Sequence, residues 1–425
     1  EAARDRELVL TVAAPRVAPE ALLEALPTET ATVWDPPEGP AFAGVGACRT
    51  LDLDGPERYA QLRAGADALG AVGTESLGDV EPLAPRLFGG MAFDTGAAAE
   101  PAWEGFGDGS FELPRFLYQV DDPAAADEAC SAGPTGARLA LTVRSDEAAD
   151  EASRHRWANA LVRGLERLGA LAAQEAAVEQ AAVEPGTRSD GDLESGTAVA
   201  IADPEAEAIW MERVESIRQS IARGEVEKIV AARSALVHLE RPLPASLVLR
   251  RLAKDLRAST RFAIRRGGTT FLGVTPERLI AKRGLTVTTE ALAGSIPAGQ
   301  ASPTLGQGAE ALLLSGKDRH EHQLVVDAIV RRLEPLCGSL EVGGLRVREL
   351  RDLLHLLTPI RGVLSAARHL VDLVESLHPT PAVGGVPTPA AMRWLRDREP
   401  GDRGWYAAPV GWIDGSGDGE LCFAP

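Results

Sequence analysis

SGKDRHEHQLVVDAI, residues Ser315 to Ile329, reads as a helix whose charges fall in an unusual place. In an α-helix, positions three and four apart share a face. On that spacing Leu314, Glu321, Leu324, Val325 and Ala328 form one stripe, with Asp318 at its edge. The stripe is apolar apart from its acids, so it is expected to face the interior. A carboxylate carried inward needs a partner, because stripping its water is costly. Glu321 therefore calls for a lysine, an arginine or a metal ion. A structural ion pair with Lys317, one turn back, would meet that need as well as a functional partner would. His320-Glu321-His322 invites a zinc hydrolase reading. Residues two apart on a helix point about 200° apart, however, and zinc helices carry His at i and i+4.

The 425 residues are 45% hydrophobic, enough to bury a large core, and length alone allows two or three domains. Acidic side chains number 62 against 44 basic ones, a net charge of -18. That balance, with no basic run, argues against nucleic acid as a partner. Cys48, Cys130, Cys337 and Cys422 lie far apart and show no CxxC spacing. They fit reduced thiols of a cytoplasmic protein better than a disulfide framework or a zinc site. The opening EAARDRELVL is too charged for a signal peptide. No apolar run approaches ~18 residues, so no membrane span is expected.

Along the chain, Arg58 to Ala71 reads as a helix. Arg86 to Phe93 reads as a strand in which Gly89-Gly90 marks a kink or a close backbone approach. Phe111 to Val120 and Ala137 to Arg144 are further strands. Glu147 to Gln180 is helical in composition and gives way to the polar, glycine-rich loop 184–197. Asp203-Pro204 caps a helix carrying Trp210, Val214, Ile217 and Ile221, closed at Gly224. Val226 to Val237 is expected as a strand, with Val226, Lys228, Val230 and Ala232 on one face. A lysine among apolar neighbours has a lowered pKa and can act as a base; a solvent-facing edge lysine is the plainer alternative. Thr269 to Val274 is a strand running into Thr275-Pro276-Glu277. Leu285 to Glu290 is a short strand leading to the small-residue turn Ala293-Gly294-Ser295, with Gly299 beyond, whose backbone N–H groups could approach an anion. Strands are also expected over Trp405 to Ile413 and from Glu420, around a turn at Asp414 to Gly419.

Taken together, EKIVAARS, FLGVTPERL, TEALAGS, SGKDRHEHQLVV, LLTPIRG, LHPTPAVGG and EPGDRGWYAAPVGWIDGSGDGE resemble the chorismate-utilising enzymes, and within them the isochorismate synthases. The match covers 205–425 well. The first 200 residues resemble the family faintly, through FGGMAFD and FELPRFLY. The resemblance implies a single α+β domain over 1–425. Two large antiparallel β-sheets would pack as a sandwich with helices outside and the site in a cleft between them.

It also implies Mg²⁺ held by Glu321 and Glu420, with Asp318 nearby, and bound to a substrate carboxylate. Lys228 matches the base that activates water for attack at ring C2 of chorismate. Glu277 matches the acid that protonates the departing C4 hydroxyl. Arg403 would clamp a carboxylate, and Gly294, Ser295, His355, Thr358 and Tyr406 would line the site. Within the family a lysine at 228 goes with water as nucleophile, whereas the ammonia-using relatives usually carry Gln there. Ala293, where aminodeoxychorismate synthases often have Lys, points the same way. The implied protein is a monomer without a glutamine amidotransferase partner. Its product would feed menaquinone or siderophore synthesis. Salicylate synthase is the alternative within the family, and a relative that binds chorismate without turnover is the alternative outside catalysis. The family normally continues past GDGE through a further strand and helix. This chain stops at Pro425, ELCFAP departs from the usual strand, and Ala298 replaces a frequent Arg.

Overall fold

The computed structural model describes residues 7–26, 28–96, 98–121, 136–183, 204–256, 258–298 and 305–424. The expected loop 184–197, the cap at Asp203, Gly299 and Cys130 lie outside them.

Sixteen strands form one hydrogen-bonded network. Its main path runs Thr269–Thr275, Thr260–Arg266, Thr30–Asp35, Ala41–Leu53, Gly109–Val120, Arg86–Met91, Pro409–Asp414, Gly419–Phe423, Arg278–Arg283, Thr286–Pro297, Leu353–Leu364 and Cys337–Val342. Strands from the first third of the chain thus pair directly with its last residues. Among the described strand pairs only Glu7–Ala13 with Gly73–Leu77 is parallel. The class is α+β with a large antiparallel sheet, as expected. The two expected sheets are, however, joined edge to edge in one path. Ala41–Leu53 and Gly109–Val120, in the middle of that path, shift register between Ala47 and Arg49, a bulge of the kind that increases local twist.

Gly109–Val120 and Ala137–Arg144 are buried along almost their whole length, and the charges they carry inside are paired, Arg115 with Glu147 and Arg138 with Asp121. At Gly89-Gly90 the close approach is real. A Cβ on Gly89 would lie 2.0 Å from the carbonyl oxygen of Ser110, and one on Gly90 2.6 Å from the Trp405 ring.

The helix of the opening stretch spans Gly316–Leu333, capped by Ser315, whose Oγ accepts the N–H of Asp318 at 3.3 Å. Its buried face is His322, Val325, Val326, Ile329 and Leu333. That corrects the predicted stripe. Leu314 ends the preceding helix and is 73% exposed, so the inward face is rotated by about one residue and Glu321 stands at its edge. Val325, Ile329 and Leu333 join a core with Leu53, Phe111, Val371 and Leu395, each such side chain contributing about 1.5–3 kcal/mol.

A second correction concerns Val226 to Val237. Only Lys228–Ile229 is a strand, paired with Gly385–Val386. Beyond it the chain is irregular and Leu236 is 82% exposed. The apolar run reads as a strand, but among the described residues no neighbouring strand carries the pairing further. The other differences are of length: Thr286–Pro297 extends past its predicted end, and Pro409–Asp414 begins later. Thr286–Pro297 pairs along its length with Leu353–Leu364, a gain that local propensity does not register.

Candidate active site

A cavity of about 570 Å³ opens where the Gly316–Leu333 helix meets the Thr286–Pro297 strand. Its wall includes Lys228, Glu277, Gly294, Ser295, Glu321, His355, Arg403 and Tyr406. These side chains come from segments nearly two hundred residues apart in sequence. Asp318, Thr358 and Glu420 are not part of the wall. A comparable cavity, about 530 Å³, lies between Arg16, Glu20, Asp35 and Arg261 and holds none of the expected residues. Its Arg261 is already matched by Asp35 and Glu20.

The partner of Glu321 is Lys228 and not Lys317. Nζ stands 3.0 Å from Oε1, with the lysine side chain 10% and the glutamate 35% exposed. Of the apolar neighbours expected on a strand face, Val226 is buried and Val230 half-buried, although the strand itself covers only Lys228–Ile229. Glu321 faces the cavity instead of the core, which lowers the cost of burying its charge.

Glu277 follows the Thr269–Thr275 strand. Its N–H donates to Thr275 Oγ1 at 3.1 Å and its carbonyl accepts the N–H of Phe423 at 3.1 Å. The carboxyl is pushed up to about 8, first by loss of water and then by the negative charge of Glu290; Lys228 and Arg348 pull the other way. Among the described residues no ion pair engages it. It is therefore a carboxylic acid that keeps its proton at neutral pH, as a general acid must.

Gly294 interrupts the pairing of Thr286–Pro297 with Leu353–Leu364, with a register shift between Ala293 and Ser295. Its φ is +76°, and a Cβ there would meet the Asp318 carbonyl oxygen at 3.1 Å. Only glycine allows this bulge to lie against the first turn of the helix. Asp318 belongs to that turn, hydrogen-bonded to Ser315. Ser295 Oγ lies 2.6 Å from His355 Nδ1, and burial together with Arg348 holds His355 below the ordinary histidine range. A neutral imidazole thus faces the cavity.

Two expected roles meet other partners. Arg403 hydrogen-bonds both carboxylate oxygens of Glu399 and donates to the carbonyls of Val383 at 2.9 Å and Val230 at 2.7 Å. Of its five N–H groups one, on Nη1, is left for a ligand, so it is chiefly a strut of the cavity wall. Thr358 is buried against His322 Nε2 at 2.8 Å, while His322 Nδ1 faces the Ala293 carbonyl at 3.2 Å. Arg278, Glu290, Arg348 and Glu399 do not stand out in the sequence as functional, and His322 does so only in the zinc reading that helix geometry argues against. Their signal is a partner distant in the chain, which periodicity does not carry.

Magnesium on Glu321 and Glu420 together does not fit these residues. Glu420 is 5% exposed, lies off the cavity wall and receives Arg278 Nε at 2.7 Å. Among the described residues no cluster of three His, Cys, Asp or Glu side chains is arranged to hold a metal ion.

The chorismate binding enzyme family matches residues 1–132 and 139–424. The salicylate biosynthesis isochorismate synthase of Pseudomonas aeruginosa is 36% identical over 397 residues, 92% of this chain and 75% of that protein. The isochorismate synthase MenF of Bacillus subtilis is 33% identical over 349 residues, 80% of this chain and 66% of that protein. In structure, the menaquinone-specific isochorismate synthase MenF of Escherichia coli aligns with a TM-score of 0.68 at 24% identity, covering 99% of this chain and 85% of that one. At that identity the likeness speaks for the fold. No described helix is long and apolar enough to cross a membrane. A family match along nearly the whole chain, carried on the same fold, makes this protein a member of the chorismate-binding enzyme family.

Proposed function

We propose that this protein is an isochorismate synthase, converting chorismate to isochorismate by adding water at ring C2 and expelling the C4 hydroxyl. The observation that carries the reading is the meeting of a protonated acid, Glu277, and an amine, Lys228, in the wall of one cavity. Water attack needs a group that takes a proton, and hydroxyl departure needs one that gives a proton. Glu277 gives its proton to the leaving oxygen. The amine form of Lys228 takes the proton from water, and Glu321 Oε1, 3.0 Å from its Nζ, orients it. Ser295, His355 and Tyr406 supply polar contacts to the substrate from the same wall. The relatives that bear the name isochorismate synthase support this choice of nucleophile.

The test is incubation of the purified protein with chorismate, with magnesium and with EDTA, and products resolved by chromatography. Isochorismate as the sole product is expected. Salicylate with pyruvate would move the protein to the alternative activity, and tight chorismate binding without product would remove it from catalysis.

A further inference from the structure

The acid Glu277 is gripped on both sides along its own backbone by a single ion pair. Arg348, on the short strand Arg346–Glu349, binds Glu290 in bidentate fashion, Nη1 to Oε1 at 2.8 Å and Nη2 to Oε2 at 2.9 Å. The same Arg348 Nη1 donates to the carbonyl of Pro276, the residue before Glu277. Glu290 Oε1 accepts the N–H of Arg278, the residue after it, at 3.4 Å. The arginine and glutamate side chains are 22% and 12% exposed. A bidentate pair so far out of water is stiffer than a surface ion pair. Neither residue belongs to the cavity wall, so neither is in reach of a substrate in the cavity.

We propose that the Arg348–Glu290 pair is a positioning device for Glu277, holding the chain before and after the acid so that its carboxyl stays at the cavity wall. The inference rests on the reading of Glu277 as the acid. The two members of the pair also act on its proton in opposite senses. Glu290 favours the protonated form, whereas Arg348 favours the ionised one. The other charges around Glu277 are Lys228, itself matched by Glu321 of the helix, and Arg278, turned to Glu420. Arg348 stands opposite His355 in the strand register. The pair therefore ties the acid to the histidine side of the cavity as well.

The experiment compares Glu290→Gln and Arg348→Met with wild type by steady-state kinetics against pH and by infrared titration of the protonated carboxyl band. The band is assigned to Glu277 by its loss in Glu277→Gln. Both variants loosen the grip, so kcat should fall by about 10²-fold in each while KM for chorismate stays close to wild type. A general acid loses activity as pH rises through its pKa. Glu290→Gln should therefore move the alkaline limb to lower pH and Arg348→Met to higher pH, each by roughly one unit. A purely structural role would move both the same way or not at all. If Arg348→Met fails to fold, Arg348→Lys keeps the charge but cannot span Pro276 and both Glu290 oxygens. It should lower kcat and leave the limb near wild type. Folded variants with wild-type kcat, or infrared titrations that stay put or shift in the same sense, overturn the proposal. Opposite infrared shifts in a protein that makes no isochorismate would overturn the functional reading and leave the positioning of Glu277 standing.

Discussion

Glu277 and Glu420 lie against the two members of one strand pair, Arg278–Arg283 and Gly419–Phe423. They begin with the same side chain and end with opposite roles. Glu420 is turned to a guanidinium, at 2.7 Å from Arg278 Nε, and is kept from the cavity. Glu277 has another carboxylate, Glu290, among its neighbours and faces the cavity. A buried carboxylate with a counter-ion is a structural charge, while one stripped of water, with no ion pair and with a like charge nearby, is an acid that holds its proton. The neighbour, more than the residue, decides the role.

The widest separation of the two should come from activity. Glu277→Gln should lower kcat by about 10² to 10⁴ while chorismate still binds in calorimetry, since the acid acts on the leaving group. Equal loss of binding and turnover would assign it to substrate recognition.

Glu420→Gln should do the reverse. Turnover should stay within a few-fold of wild type. Stability in urea should fall by about 1–3 kcal/mol, because the amide leaves the Arg278 charge without its counter-ion. If the variant instead loses turnover and keeps its stability, Glu420 belongs to the chemistry.

A third separation lies in the pH dependence of folding. Glu277 is raised from an ordinary 4.5 to about 8 in the folded protein. Within that window the folded state holds a proton that the unfolded state has released, so stability falls as pH rises across it. Glutamine has no proton to hold. The melting temperature of Glu277→Gln relative to wild type should be unchanged by this term below the window and should gain progressively to its top. A difference that does not vary with pH would mean that Glu277 is already ionised in the fold.

Much of this site was legible before any coordinates. The helix spacing around Glu321 announced a carboxylate in need of a cation, and Lys228 announced a lysine among apolar neighbours. The turn at Gly294 was marked by its small residues, and seven segments in register named the family. The parts that were not legible share one feature. Lys228 meets Glu321, Arg278 meets Glu420 and Arg348 meets Glu290 across 93, 142 and 58 positions. No local rule couples residues that far apart.

By itself, then, the chain determined the type of most segments and the residue types they offer, because helix and strand periods are properties of the local backbone. The tertiary structure alone decided the partners. It gave Arg403 to Glu399 and two carbonyls, which leaves a single N–H toward the cavity. It withdrew Glu420 to Arg278 and left Glu277 next to Glu290. The reason is electrostatic: a carboxylate takes its state from how much water the fold leaves it and from which charge the fold sets beside it, and both are fixed by topology.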